Sequence, residues 1–495
     1  MKTIDLAVFF IYLAGITLFG GSFFKKNRSS SSFTLGDSHI PSWVISMSIF
    51  ATFVSSISFL ALPGNAYLTN WNAFVFSLSI PIALLVAVKF FVPLYRRINS
   101  PSAYTYLETR FGPWARVYAS ACYLLTQIMR TGTILYLLAL ALHAIIGWDI
   151  ITIIIVTGLT VAAYSILGGF QAVVWTDAIQ GIILIGGAVV SALYLLFGMP
   201  EGTGQLFSIA SAHHKFSLGS FGSSLSEPTF WVVLVYGIFI NLQNYGIDQN
   251  YVQRYMASRS EREARRSAFW GGIIYVPVSA VFIFIGTALF SFYHSGAATL
   301  PAAFQEQGMN DRIFPYFIVT QLPPGVIGLL IASVFAAGMS TISTSFNSSA
   351  TVFLTDYYQR YSKEPIPEKK AMKILYLSSI IIGILGIAVA IAMINVKSAL
   401  DAWWELASIF SGGMLGLFLL AAFSRITRSA GALAGVIAGL LVILWLSISP
   451  LVGGEHTLAS HFHSYLTIVL ATVTIFFVGF FASLLAGRKS IAAGT

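Results

Sequence analysis

Thirteen stretches of about 20 predominantly apolar residues recur along this chain, over 3–24, 43–67, 72–95, 113–146, 150–168, 171–197, 229–254, 267–293, 325–357, 371–394, 399–422, 429–448 and 463–486. Each is long enough, as a helix, to cross a bilayer core of about 30 Å. A helix satisfies all its backbone hydrogen bonds within one segment, so lipid-spanning runs of this kind predict an all-α polytopic membrane protein. Composition agrees: 57% of residues are hydrophobic and 9% charged, more apolar surface than a soluble domain can hide. The net charge of +9 is the excess that cytoplasmic loops of membrane proteins carry, and it implies no nucleic-acid partner. The single cysteine, Cys122, has no internal disulfide partner and no companion metal ligand.

Orientation follows from the basic residues. The cluster Lys25-Lys26-Asn27-Arg28 follows the first apolar run instead of preceding it, which argues against a cleaved signal peptide and places the N-terminus outside. Alternation from there puts Arg96, Arg97, Arg110, Arg116, Arg254 to Arg266, Arg360 to Lys373, Arg425, Arg428, Arg488 and Lys489 on the cytoplasmic side, with the C-terminus. Only Lys2, Lys215, Arg312 and Lys397 fall outside. The longest outer segments, 198–228 and 294–324, suit lids better than enzymes. The remaining histidines, among them His143, His213, His214, His294, His456, His461 and His463, are scattered without metal-ligand spacing.

The densest polar patch inside an apolar run is Ala336-Ala-Gly-Met-Ser340-Thr341-Ile-Ser343-Thr344-Ser345. Polar side chains at membrane depth are expensive unless paired, and hydroxyls with carbonyls suit a hard cation. The bland reading is a hydroxyl bonding back to the carbonyl one turn earlier, which accounts for single membrane serines better than for a cluster. Ser340, Ser343 and Thr344 stand three or four residues apart and share a helical face. Asp177 opens the 171–197 run; unpaired in lipid it would cost on the order of several kcal/mol or take up a proton. A sodium ion held by Asp177, Ser340, Ser343 and Thr344 answers that cost. The alternatives are a structural hydrogen bond from Asp177 to a neighbouring helix, or proton coupling.

Arg130 lies in the middle of the 113–146 run, too deep to snorkel and with no acid within one turn. Guanidinium is the preferred planar clamp for a carboxylate, so Arg130 predicts an anionic substrate unless it pairs with an acid such as Asp248 across the bundle. The 43–67 run is weakened by Ser55, Ser56 and Ser58, and the 229–254 run carries Asn241, Gln243, Asn244, Asp248 and Gln249. These two runs lie five apart in order. Interrupted helices in matching positions mark the substrate site of an inverted-repeat transporter, with polar packing seams as the alternative. The division is then one transporter domain over 1–495: an extra helix at 3–24, repeats at 43–197 and 229–422, and two C-terminal helices at 429–486.

Three segments carry a family resemblance that runs through nearly the whole chain. Gly168-Gly169-Phe-Gln-Ala-Val-Val-Trp-Thr176-Asp177-Ala-Ile-Gln180-Gly181 and Phe335-Ala-Ala-Gly-Met-Ser340-Thr341-Ile-Ser343-Thr344-Ser-Phe-Asn347-Ser348 resemble the two signatures of the sodium:solute symporters. Asn241 to Arg254, followed by Ala257-Ser-Arg-Ser-Glu-Arg-Glu-Ala264, resembles that family's broken sixth helix and its cytoplasmic tail. The resemblance implies the leucine-transporter type of 5+5 inverted repeat with about 13 transmembrane helices. It also implies a first sodium site from the carbonyls of Ala51, Val54 and Ala337 and the hydroxyls of Ser340 and Thr341. Thr341 stands where many members have serine, and its methyl restricts the rotamer.

The serine-rich break and Arg130 make the chain most similar to bacterial sialic acid symporters, which implies import of N-acetylneuraminate, with two sodium ions, across a bacterial cytoplasmic membrane. Phe53, Ser55, Ser56, Ser58, Ser77, Arg130 and Gln243 are then the substrate candidates, although phenylalanines such as Phe53, Phe74 and Phe76 more often pack in a core or face lipid. Gln243-Asn244-Tyr245 departs from the aromatic-rich pattern of neutral-sugar members. A symporter for another carboxylate, such as proline or pantothenate, stays open. A channel would need a continuous polar pore, whereas these patches are local, and sensors of the family usually append signalling domains. No acid–base pair, metal cluster or nucleophile motif points to an enzyme. Beyond the anionic solute, sodium and lipid, no obligate protein partner is implied.

Overall fold

The computed structural model describes residues 3–24, 29–36, 40–305, 309–396, 398–449 and 459–492. Lys2, Lys25, Lys26, Arg28, Lys397 and His456, and the side chains of Arg488 and Lys489, lie outside the described residues. Among the described residues all regular structure is helical. Among the described residues eleven helices are long and apolar enough to cross a membrane, twelve if the bent pair Ser42–Phe53 with Ile57–Leu68, inclined by 60°, is counted as one span. The thirteenth apolar run corresponds to a shorter apolar helix, Ile150–Ala162.

The labelled helices are α1 (Thr3–Ser22), α2 (Ser42–Phe53), α3 (Leu62–Leu68), α4 (Pro113–Ile146), α5 (Ile150–Phe197), α6 (Phe230–Ile247), α7 (Gln249–Ala257), α8 (Tyr275–His294), α9 (Val326–Val352), α10 (Glu368–Ala392), α11 (Ala399–Phe423), α12 (Ser429–Ile448) and α13 (Leu466–Ala492). The runs 150–168 and 171–197, expected as separate helices, are two helices that meet end to end within α5, at a kink where Gly169 adopts φ 60° and ψ −169°. That conformation is strained for any residue with a Cβ.

Three local features position the site. The first is the break after α2: Val54 is extended (φ −76°, ψ 125°), and a π-helical turn over Ile57–Ala61 leads into α3. Serines and β-branched residues favour such a departure, and Pro63 withholds an N–H from the ladder. α8 braces the far half of the break, because a Cβ on Gly286 would lie 2.2 Å from the Pro63 carbonyl oxygen. Lys215 caps α3, its ammonium donating to the carbonyls of Tyr67 at 2.5 Å and Thr69 at 2.9 Å. Burial holds the Lys215 pKa down to about 8.

The second feature is the matching break between α6 and α7 at Asp248 (φ −73°, ψ 128°), whose carboxylate caps α7. The third is α9, which is buried along nearly its whole length. It packs against α1, α4, α5 and α10, so its hydroxyls face protein and not lipid.

Candidate ion and substrate sites

Where α2 ends, its last carbonyls lose their place in the helical ladder, and side chains from α9 and α4 come to them instead. Ser340 Oγ stands 3.1 Å from the Ala51 carbonyl oxygen and 3.1 Å from that of Ala337. Thr341 Oγ1 stands 3.3 Å from the Val54 carbonyl oxygen and 3.2 Å from that of Ala337. All five residues implied for the first sodium site thus converge, and Ser340 and Thr341 are fully buried. Oxygens held about 2.4 Å from a hard cation and at right angles to each other stand about 3.4 Å apart, so this ring needs little adjustment to accept one. The carbonyl between them, on Thr52, accepts a hydrogen bond from an Arg130 terminal nitrogen at 2.8 Å.

The Asp177 cluster is built differently. Its Oδ2 accepts from Ser48 Oγ at 2.8 Å, from an Arg254 terminal nitrogen at 2.7 Å and from Thr344 Oγ1 at 3.3 Å. Both members of the Arg254–Asp177 ion pair are fully buried. Arg254 is further held by Ser48 Oγ at 2.8 Å and the Asn250 carbonyl at 2.6 Å. Of the three hydroxyls expected beside Asp177, only Thr344 reaches it. Ser340 is turned to the α2 break, and Ser343 Oγ bonds back to the Ser340 carbonyl at 3.0 Å. Asp177 Oδ1 is buried without a hydrogen-bond partner. Arg254 is the residue that sequence reasoning missed. The arginine stands at the end of an apolar run, where it reads as one more cytoplasmic charge. Only the break at Asp248, which starts a new helix, turns it inward.

A cavity of about 60 Å³ lies beside the two breaks. Phe53, Ser55, Ser58, Ser77, Arg130 and Gln243 line it, as six of the seven substrate candidates. Ser56 does not: it points the other way and donates to the Ile134 carbonyl at 3.3 Å. Phe76 also faces the cavity, whereas Phe74 packs on Trp71. The aromatic faces missing at 243–244 are made up by Tyr236, earlier on α6, with Tyr275 of α8 and Trp403 and Trp404 of α11. Phe53 stacks on Tyr245 at 5.2 Å between ring centres and meets Tyr275 edge-on at 4.5 Å. Phe76, Trp404, Tyr236 and Tyr465 form a partition, with Phe76 and Trp404 stacked at 5.1 Å and Tyr236 and Tyr465 at 4.9 Å. Beyond it lies a second hollow of about 510 Å³, which shares Ala73 and Trp404 with the cavity and also contains Asp401 and Glu405.

Arg130 stands 5.8 Å from the Trp403 ring centre and is 7% exposed. Among the described residues it makes no ion pair within 4 Å, so the alternative of a salt bridge to Asp248 is not what the fold builds.

A cradle of neutral oxygens and a polar cavity, both assembled at helix breaks inside an apolar bundle, define a secondary transporter of the leucine-transporter type. A structure of the nucleobase–cation symporter Mhp1 shares the fold, at a TM-score of 0.58 and 14% identity over 91% of this chain and 93% of that one. The chain belongs to the sodium:solute symporter family, whose model matches residues 33–439. It is 36% identical over 446 residues to the sodium/sialic acid symporter SiaT of Proteus mirabilis, covering 89% of each chain. It is 33% identical over 447 residues to the sodium/sialic acid symporter NanT of Aliivibrio fischeri, covering 90% of this chain and 87% of that one. A structure of a Na+-coupled sialic acid symporter, substrate-bound and outward-open with a novel Na+-site, superposes at a TM-score of 0.89 with 32% identity over 98% of both chains. The chain is therefore a sodium-coupled symporter and not an enzyme.

Proposed function

We propose that this symporter imports a carboxylated, hydroxylated solute, N-acetylneuraminate or a closely related sialic acid, across a bacterial cytoplasmic membrane. One observation carries the reading: three backbone carbonyls within one four-residue break serve both the ion and the substrate clamp. Ala51 and Val54 belong to the oxygen ring, and Thr52 between them holds Arg130. A sodium ion that fixes the break also fixes the arginine that meets the substrate carboxylate. Ser55, Ser58, Ser77 and Gln243 supply hydroxyl and amide partners for the rest of the solute. The sialic acid symporters among its relatives support the same substrate class.

Sodium binds Ala51, Val54, Ala337, Ser340 and Thr341 from outside and stabilises the outward-open form; the substrate then binds, the gates exchange and sodium leaves inside. Bound solutes of drug size fill clefts of about 300–1,000 Å³, so the Phe76–Trp404 partition moves and the cavity widens during the cycle. A second ion is held by Asp177, through its Oδ1, with Ser340, Ser343 and Thr344, Ser340 being shared with the first site and Ser340 and Ser343 turning toward it from their present hydrogen bonds. The unpartnered Oδ1 supports this, as does the novel Na+-site of the related symporter. Arg254 already neutralises Asp177, so the second ion binds more weakly than the first. Two sodium ions with one monovalent anion carry 2 − 1 = +1 charge, which draws roughly 2.3 kcal/mol per 100 mV from the membrane potential. The two repeats are 43–197 and 229–422, with the N-terminus outside and the C-terminus cytoplasmic.

The test is uptake of labelled N-acetylneuraminate into proteoliposomes under an inward sodium gradient, with proline and pantothenate as competitors. Saturable, sodium-dependent and electrogenic uptake is expected, abolished by Arg130→Ala. Displacement of the label by proline or pantothenate at lower concentration than by unlabelled N-acetylneuraminate would reassign the substrate, and electroneutral uptake would rule out the two-ion stoichiometry.

A further inference from the structure

The cavity that holds Arg130 also holds an acid. Asp248 is 1% exposed and lines the cavity together with Arg130, Ser58, Gln243 and Tyr275. Its Oδ1 accepts the Asn250 backbone N–H at 2.8 Å, which caps α7. A neutral asparagine or serine caps a helix as well as aspartate does, so capping does not call for the charge. Direct ion pairing does not call for it either: among the described residues no cation stands within 4 Å of Asp248, and its favourable charges, Arg130 foremost and then Arg254, act from farther off. A buried carboxylate facing the site of an anion repels it unless the solute brings donors to that carboxylate.

We propose that Asp248 is a specificity residue, whose carboxylate accepts a hydrogen bond from a hydroxyl or amide N–H of the solute while Arg130 takes the solute's carboxylate. This rests on the reading of Arg130 as the carboxylate clamp. A hydrogen bond to an ionised acceptor is among the strong ones, and a solute lacking the donor leaves that acceptor buried and unpaired. The cavity therefore selects acids that carry a donor group and rejects plain short monocarboxylates of the same charge.

The experiment measures binding of N-acetylneuraminate and of butyrate, which has no donor, to the purified full-length chain in saturating sodium. Wild type is expected to prefer N-acetylneuraminate. Asp248→Asn retains the helix cap and is expected to weaken N-acetylneuraminate at least about tenfold, to leave butyrate equal or tighter, and to leave sodium half-saturation unaltered. Equal weakening of both ligands, no weakening of either, or a wild type that does not discriminate between them overturns the proposal. Arg130→Ala separates the two readings: it is expected to weaken both acids, and if it weakens neither, the clamp itself fails whatever Asp248 does.

Discussion

Two polar clusters lie one turn apart on α9 and are solved by opposite means. Around Ser340 and Thr341 every oxygen is neutral, and in the proposed first site the positive charge comes from solution. Around Thr344 the acid Asp177 meets a guanidinium supplied by the protein itself. The first arrangement is held by neutral hydrogen bonds from Ser340 and Thr341 to the carbonyls of Ala51, Val54 and Ala337, which a cation in the proposed site would replace. The second is largely structural, because Arg254 and Asp177 neutralise each other whether or not sodium is present. On the proposed assignment, the neutral ring is where ion binding switches the conformation. The charged pair ties α7 to α5 and α9, and only its spare Oδ1 is left for a second ion.

The largest effect should come from breaking the charged pair on one side. Arg254→Ala leaves Asp177 buried and unpaired, a loss of about 3–5 kcal/mol, read as a large fall in thermal stability in detergent. Adding Asp177→Asn to that variant should recover most of the loss; a double variant no more stable than the single would deny that the pair is the cause. Next, Ser340→Ala removes a ligand of the neutral ring. At about 1.5–3 kcal/mol for a hydrogen bond to a charge, sodium half-saturation should rise roughly ten- to a hundredfold, with thermal stability in the absence of sodium nearly unchanged.

Asp177→Asn keeps the shape but leaves Arg254 unpaired, so it should also lose thermal stability. In the protein that remains folded, it should lower the sodium Hill coefficient toward 1 while shifting half-saturation less than Ser340→Ala does. An unaltered coefficient in flux measurements would remove the second ion from this cluster. Smallest of all, Thr341→Ser keeps the hydroxyl and frees its rotamer, so sodium half-saturation should stay within about threefold. A shift as large as that of Ser340→Ala would mean that the methyl, and not the oxygen, is what Thr341 contributes.

The hydroxyls of the neutral ring were legible locally in the sequence, while its carbonyls were implied only by the family resemblance. Serines and β-branched residues interrupt one apolar run, and a hydroxyl cluster interrupts another. Each is costly in lipid unless it meets the other. The Arg254–Asp177 pair was not legible, since its members belong to different helices, 77 residues apart, and Arg254 reads as one more loop charge. Ser56 failed as a substrate candidate for a geometric reason. Around the extended Val54, successive serines point to different sides, so Ser55 faces the cavity and Ser56 faces α4. The aromatic wall was missed because it comes from α6, α8 and α11 together, which no single segment reveals.

Sequence alone determined that this chain is a helical membrane protein with breaks in two matching spans, because backbone groups in lipid leave no other form and polar residues there must be paid for. The family resemblance also implied the oxygens proposed for the first ion site, and the fold brings them together. Tertiary structure decided which side chains actually meet: Arg254 with Asp177, Arg130 with a freed carbonyl and not with Asp248, and Asp248 with the cavity. Those choices depend on the direction a few residues take at each break, and direction is set by packing between distant helices.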